Sequence, residues 1–303
     1  MSDALRPITS WYESTARQRI AGLLDRGSFT EYIGPEQREM SPHLDLFDLP
    51  KQFDDGIVIG EGQLDGQRVY AAAQEGRFMG GAFGEVHGAK LIGLIRAARK
   101  HKRDVLISFD TGGVRLQEAN AGEVSIAEII RAILLARADG VRVIGLLGGR
   151  AGCYGGGGLI ANCCSSLVIS EQGRLSVSGP EVIETNHGVE EFDSKDRAFV
   201  WRTMGGKHRY LIGAVDAFVE DDIAAFRAAA RTALAKQARF DLALVQAEQQ
   251  RLATRLQRLG SLTDSLQIWK ALGVEAPESI SSLPTEAFLA ASQTVRECAD
   301  EAR

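Results

Sequence analysis

The sequence is short of the residue types that mark disulfide-stapled, membrane-spanning and metal-dependent proteins. Its four cysteines, Cys153, Cys163, Cys164 and Cys298, have neither a metal-ligand spacing nor the arrangement of a disulfide framework. No metal site is expected, and the adjacent Cys163 and Cys164, set in an apolar run, read as two small buried residues. Long hydrophobic runs are lacking as well. The longest, such as VRVIGLLGG, fall far short of the ~20 residues that span a bilayer. The opening MSDALRPITS has no apolar h-region, so a cytoplasmic protein is expected, with no membrane partner. A strong charge of one sign is missing too. The net charge is −5 and the pI about 5.7, which gives no reason to expect nucleic acid as a partner. The five histidines, His43, His87, His101, His187 and His208, show no paired spacing. Ser108, Ser125 and Ser178 lack a nucleophile-elbow context, so a catalytic triad is poorly supported.

What the chain does have is apolar material and glycine. Hydrophobic residues make up 45% and charged residues 25% of 303 positions, enough for a large core in an ordinary globular protein. The 33 glycines concentrate between Gly76 and Gly179, which points to special backbone geometry there. An amphipathic helix is predicted over Trp11–Asp25, followed by a polar stretch to about Phe53. Segments GIVIGEGQL and QRVYAAAQE flank Asp65-Gly66 as a β-hairpin. Strand, glycine loop and helix then alternate. A helix over Glu85–His101 leads to strand DVLISFD, loop TGGVRLQEANAG and helix EVSIAEIIRAILLARADG. Strand VRVIGLLG, loop GRAGCYGGGG, a short helix to about Cys164 and strand SLVISE follow. The strand starts Gln67, Asp104, Val141 and Ser166 are 37, 37 and 25 residues apart, as suits parallel strands joined by crossover helices. Near-continuous apolar strands of this kind should be buried on both faces. Residues 221–259 read as long helix broken near Arg239–Asp241, and residues 276–303 as one helix more. The chain thus divides into an N-terminal helix and extended segment (1–55), an α/β core (56–220) and a helical region (221–303).

The glycine clusters follow strands or precede helices, where α/β proteins bind ligands. Free N–H groups in such turns can face developing negative charge. At Gly112-Gly113 the N–H of Gly113 or Val114 would be free to donate, although a tight turn before a helix reads equally well. Gly155-Gly156-Gly157-Gly158 would cost roughly 1 kcal/mol per residue relative to alanine inside a helix, so close backbone approach explains them better than indifference. A phosphate loop lacks its Lys and Ser/Thr. His87 and His187 read as structural. Tyr154, beside the second cluster, reads as a pocket-lining aromatic or a proton donor. Glu118 and Glu181 read as helix-capping or solvated carboxylates.

The ordered set ARQRIAGLLDRGSFTE, FMGGAFGEVHGAK, DTGGVRLQEA, GGGGLIANCCSSLVISE and LSVSGPEVIE resembles the carboxyltransferase branch of the crotonase superfamily. The likeness covers roughly residues 15 to 220 and is greatest to the β subunits of acetyl-CoA carboxylase and malonate decarboxylase. Two departures favour the latter: no cysteine precedes Cys153 to build the carboxylase zinc ribbon, and TNHGVEEFDSKDRAFVWRTMGGKHRYLIG resembles the decarboxylase. The resemblance implies a crotonase/ClpP-like spiral of repeated ββα units with additional C-terminal helices. It implies biotin-independent decarboxylation of malonyl-S-acyl-carrier protein to the acetyl thioester and CO₂ through an oxyanion-stabilised enolate, with carboxyl transfer to biotin as the alternative. Catalytic positions carried over are Gly112 and Gly113 at the strand-end turn and Gly155 and Gly156 as helix-terminal donors. Gly80, Gly81, Val114, Tyr154 and Gly157 would line the substrate. The chain itself would bind no cofactor; a phosphopantetheine-type, dephospho-CoA-derived arm would come on the acyl-carrier subunit. A homologous γ subunit would complete the site, and an acyl-carrier transferase α subunit would load the carrier.

Overall fold

The computed structural model describes residues 8–300, with side chains described as far as residue 296. Residues 1–7 and 301–303 and the side chain of Cys298 lie outside the described residues. The hairpin forms where the sequence places it. β2 (Ile57–Leu64) and β3 (Gln67–Gln74) pair antiparallel. Asp65 and Gly66 turn with φ of 51° and 80°, the two positive values a type I′ hairpin turn requires. β1 (Thr30–Tyr32) adds to the outer edge of β2. It and α2 (His43–Leu46) fall in the polar stretch that showed no periodicity, because elements of three or four residues are too short to display one.

From β3 onward the sheet is parallel and runs in chain order through β4 (Val105–Phe109), β5 (Val143–Leu147), β6 (Ser166–Ser170) and β7 (Ala217–Val219). α3 (Glu85–His101), α4 (Ala119–Ala138) and α5 (Gly156–Asn162) connect them. The connecting helices pack on one face of the sheet, as crossovers of one hand between sequential neighbours require, so the chain winds as a spiral. Each turn of the spiral carries a second, minimal β layer: beyond the ends of the main strands, Thr111 bridges Cys153 and Cys153 bridges Leu175, both in parallel. This is the expected ββα repeat in reduced form.

β4, β5 and β6 are buried along their whole length. Alternate side chains serve two cores. Val105, Ile107 and Phe109 pack with Leu91, Ile95, Ile129 and Ile133 of α3 and α4. Leu106, Ile144, Leu146 and Val168 face the other way. There they meet α1 (Ala16–Leu23) and α9 (Ile223–Ala235), with Trp11 stacked on Phe226 at 4.2 Å. Burial of one such aliphatic or aromatic side chain is worth about 1.5–3 kcal/mol. α1 starts later than the predicted Trp11 because Thr15 and Gln18 form a capping box ahead of Ala16.

Between β6 and β7 lie α6 (Pro180–His187), α7 (Arg197–Met204) and α8 (Gly206–Leu211). β7 itself was not foreseen in a region read as helical. The predicted long helix divides where expected, into α9 and α10 (Leu242–Leu259), with Asp241 accepting Leu244 N–H at 2.7 Å as the new N-cap. α11 (Ser265–Ala271) and α12 (Thr285–Asp300) complete the helical region. No helix among the described residues is long and apolar enough to cross a membrane.

Candidate active site

The three glycine clusters, far apart in sequence, meet at the carboxyl edge of β4 and β5. Gly112 N–H donates to the Gly80 carbonyl at 2.8 Å, which joins the first turn to the second. A Cβ on Gly155 would stand 3.1 Å from Gly113 Cα, which joins the second to the third. Thr111 is the hinge pin between them. Its backbone donates to Gly152 O (2.7 Å) and accepts from Tyr154 N–H (3.0 Å), while its hydroxyl accepts from Gly113 N–H at 3.1 Å.

The hydrogen bonds decide which N–H groups are available. Those of Gly112 and Gly113 are taken, and Gly155 N–H goes to the Val177 carbonyl at 2.9 Å. Gly157 N–H closes on Tyr154 O at 3.0 Å. As N–H donors, Gly112 and Gly155 are therefore spent on holding the loops to one another, and Gly113 on closing its own turn. The N–H groups of Gly156 and Val114 make no hydrogen bond among the described residues, and both residues are half-buried. At Val114 the cause is a parallel bridge to Phe83, in which Phe83 N–H bonds Gly113 O and Arg115 N–H bonds Phe83 O, leaving Val114's own N–H on the opposite side. The third cluster does use glycine inside a helix, since α5 begins at Gly156. Close approach is the reason: a Cβ on Gly157 would lie 2.4 Å from the Thr111 methyl, and one on Gly158 2.4 Å from Ser176 O.

Buried charges brace these loops. Asp110, closing β4, accepts from Ala151 N–H at 2.7 Å and from Arg19 of α1 at 2.8 Å. Arg115 donates to both carboxylate oxygens of Asp55 and to Glu118. Glu118, read from sequence as capping or solvated, is 2% exposed; it is an ion-pair partner and also caps α3, accepting Glu85 N–H at 2.5 Å. Glu181 stays in the exposed first turn of α6. Burial pushes the Asp55 carboxyl up, against the pull of Arg115. His87 is fully enclosed, and burial, then Arg115, hold its ring well below the usual histidine range. It bonds the Asp55 carbonyl through Nδ1 and Gln74 through Nε2, both at 3.1 Å, and so is structural. His187 lies on the surface, 3.8 Å from Glu191.

Tyr154 is enclosed among Phe192, Val200 and Met204. Its hydroxyl has no hydrogen-bond partner among the described residues, and burial raises its pKa, so it stays protonated at neutral pH. Cys153 and Cys164 are buried thiols with raised pKa values; Cys163, expected to be buried, is only partly so. Among the described residues, no cluster of three or more His, Cys, Asp or Glu side chains could hold a metal ion. Arg19, Asp110, Asp55 and Arg115 were not singled out from sequence. A signal existed: Arg19 stands between Ala16, Ile20 and Leu23 on the apolar face of α1, and Asp110 ends the apolar strand VLISF.

A family model described as the carboxyl transferase domain matches residues 12–237. The malonyl-S-ACP:biotin-protein carboxyltransferase of Malonomonas rubra is 39% identical over 308 residues, spanning 95% of this chain and 96% of that protein. Of solved structures, a Pseudomonas malonate decarboxylase hetero-tetramer in complex with malonate superposes with a TM-score of 0.79 at 38% identity, over 86% of this chain and 96% of the matched one. A Pseudomonas malonate decarboxylase hetero-dimer gives 0.66 at 34% identity, over 84% and 97%. A spiral α/β core whose three glycine turns meet at one edge of the sheet, matched over most of its length by these relatives, places the chain in the carboxyl transferase family of enzymes.

Proposed function

We propose that this chain is the β subunit of a biotin-independent malonate decarboxylase, converting malonyl-S-acyl-carrier protein to acetyl-S-acyl-carrier protein and CO₂. Breaking the bond between the α-carbon and the carboxylate releases CO₂ and leaves an electron pair on the α-carbon, delocalised onto the thioester oxygen as an enolate. A proton delivered to the α-carbon completes the acetyl group. The observation that carries this reading is the pair of unengaged N–H groups, Val114 and Gly156, on loops that touch at Gly113 and Gly155. They are the donors for the enolate oxygen, and losing one such donor typically costs ~2.7–4 kcal/mol, a factor of about 10² to 10³ in rate. Gly112, Gly113 and Gly155 fix the positions of the donors. Gly80, Gly81, Gly157 and Tyr154 shape the walls. With the Tyr154 hydroxyl enclosed, the proton comes from water or from a group on a partner subunit.

The thioester arm, of phosphopantetheine type and derived from dephospho-CoA, arrives on the carrier subunit as substrate, and this chain binds no cofactor of its own. A homologous γ subunit completes the site, and an α subunit charges the carrier. Support for partners comes from exposed apolar side chains on the segments that frame the loops: Leu116, Val124, Leu159, Val177 and Val182 are all at least 46% exposed. The hetero-tetrameric and hetero-dimeric state of the matched decarboxylases agrees with this.

Carboxyl transfer to biotin is a second reading, favoured by the likeness to the Malonomonas enzyme; it uses the same enolate and differs in the fate of the carboxylate. Mixing the chain with the γ subunit and malonyl-carrier protein should release CO₂ without biotin and without inhibition by avidin. Avidin inhibition would establish the second reading instead. In the same assay Gly156→Pro, which removes a donor, should lower kcat ~10²- to 10³-fold with assembly intact. Full activity in that variant would refute the donor assignment.

A further inference from the structure

Val114 donates from a loop with no regular secondary structure, so something must hold it. The residue that follows it does so. Arg115 is 1% exposed, and its guanidinium makes four hydrogen bonds. Nη1 reaches Asp55 Oδ1 and Oδ2 at 2.9 Å and Glu118 Oε1 at 3.0 Å, while Nη2 reaches the Asp55 carbonyl at 2.8 Å. The carboxylates extend the set outward. Glu118 accepts from the first residue of α3, Glu85, and Asp55 accepts from His87 N–H at 2.9 Å. Gly84 leaves the space this group fills, since a Cβ there would lie 2.5 Å from Arg115 Nη1 and 2.6 Å from Glu118 Oε1. One cation therefore ties the start of β2, the start of α3 and the turn before α4 to the backbone of Val114.

Stability alone is a weak reason for such a group, because a buried ion set is often no more stabilising than apolar residues of the same volume. What the four bonds from Nη1 and Nη2 do supply is a fixed geometry, although Arg115 Nε has no partner among the described residues, and a misplacement of about 1 Å can cost ~10² in rate. We propose that Arg115 is a positioning residue for the reaction, acting through the backbone to aim the Val114 N–H at the enolate oxygen. The inference rests on the decarboxylase reading for its chemistry. It goes further in assigning a function to a side chain that never reaches the substrate. Lysine keeps the charge but lacks the planar fork that serves two carboxylates and a carbonyl together.

The test uses the assembled complex and two variants, Arg115→Lys and Glu118→Gln. The expected result for Arg115→Lys is a kcat lowered ~10²-fold with KM for malonyl-carrier protein nearly unchanged. Glu118→Gln, which keeps the shape of the side chain, should show a smaller loss in kcat alone and carries the test if the lysine variant fails to assemble. Hydrogen exchange of the peptide containing Val114, read by mass spectrometry, should accelerate in both. That readout does not depend on turnover, so a wild-type complex without decarboxylase activity would count against the functional reading only. Unchanged exchange at Val114, or an unchanged kcat in an assembled variant, would overturn the positioning role.

Discussion

At Gly81 a methyl group has no room. The backbone turns there with φ of 65°, and a Cβ would fall 1.7 Å from the Asp110 carbonyl oxygen. Its neighbour Gly80 has a similar φ of 63° but nothing within 4 Å of the same position. The two substitutions separate conformational strain from collision. Gly80→Ala should cost ~1–2 kcal/mol through the left-handed backbone alone, and Gly81→Ala distinctly more, since overpacking adds a further ~1–3 kcal/mol. Chemical denaturation of the two variants side by side would show the difference. Sequence marked both glycines as special but could not rank them, because the atom that collides belongs to Asp110, just beyond β4 and distant in sequence. The same limit applied to the donors. Four glycine N–H groups were candidates, and three are engaged: two by acceptors on other loops, Gly80 O and Val177 O, and one by the Thr111 hydroxyl of its own turn. Val114 entered the sequence reading as a pocket residue and an optional donor, and the bridge to Phe83 is what frees it.

Among the elements, α8 and α11 are joined by a hydrogen bond that titration can probe. Trp269 Nε1–H donates to His208 Nδ1 at 3.0 Å, and burial, followed by the nearby Arg209 and Arg255, pushes the His208 pKa down from 6.5 to about 3. Above the unfolded value the ring is neutral in both states and the bond contributes fully. As the pH falls below 6.5 the unfolded chain takes up a proton that the native chain refuses, and stability is lost until the native ring protonates near 3. The slope from this one group is at most ~1.4 kcal/mol per pH unit. His87, neutral for the same reason, adds to it in the same direction. His208→Gln keeps an acceptor for the indole and cannot titrate in this range. Its unfolding free energy should therefore fall less between about pH 7 and about pH 5 than that of the wild type. Identical slopes would refute the account. Elements of this size were legible where they repeat a period: α3 ends where the pattern does, and the break before α10 follows from Asp241. β1, α2 and β7 were not, because three or four residues hold no period and form only when a neighbouring edge accepts them.

For the whole molecule, two faces of the sheet are covered by the chain's own helices, while apolar side chains stay exposed beside the edge carrying the glycine loops. Leu159 (46% exposed) follows Gly156 by one turn of α5, and Val182 (53% exposed) lies in the first turn of α6. If the γ subunit seats on this rim, Leu159→Asp should weaken assembly by at least tenfold, as buried interface charges do, while leaving the thermal midpoint of the isolated chain unchanged. Sedimentation of mixtures with the γ subunit would measure the first and a thermal melt the second. A variant that assembles as tightly as the wild type would move the interface elsewhere.

The sequence by itself determined the alternation of strand, glycine loop and helix, and with it a parallel sheet whose loops share one edge. That much is local: hydrophobic period, turn residues and spacing are written along the chain. The motifs also pointed to the family. What only the tertiary structure decided is which glycine N–H groups remain free, that Glu118 is a buried ion-pair partner, and that Arg115 braces the loop from behind. These depend on acceptors and charges brought from positions distant in sequence, such as Asp55 to Arg115 and Gly80 to Gly112. Linear spacing carries no record of which of them will be neighbours once the spiral closes.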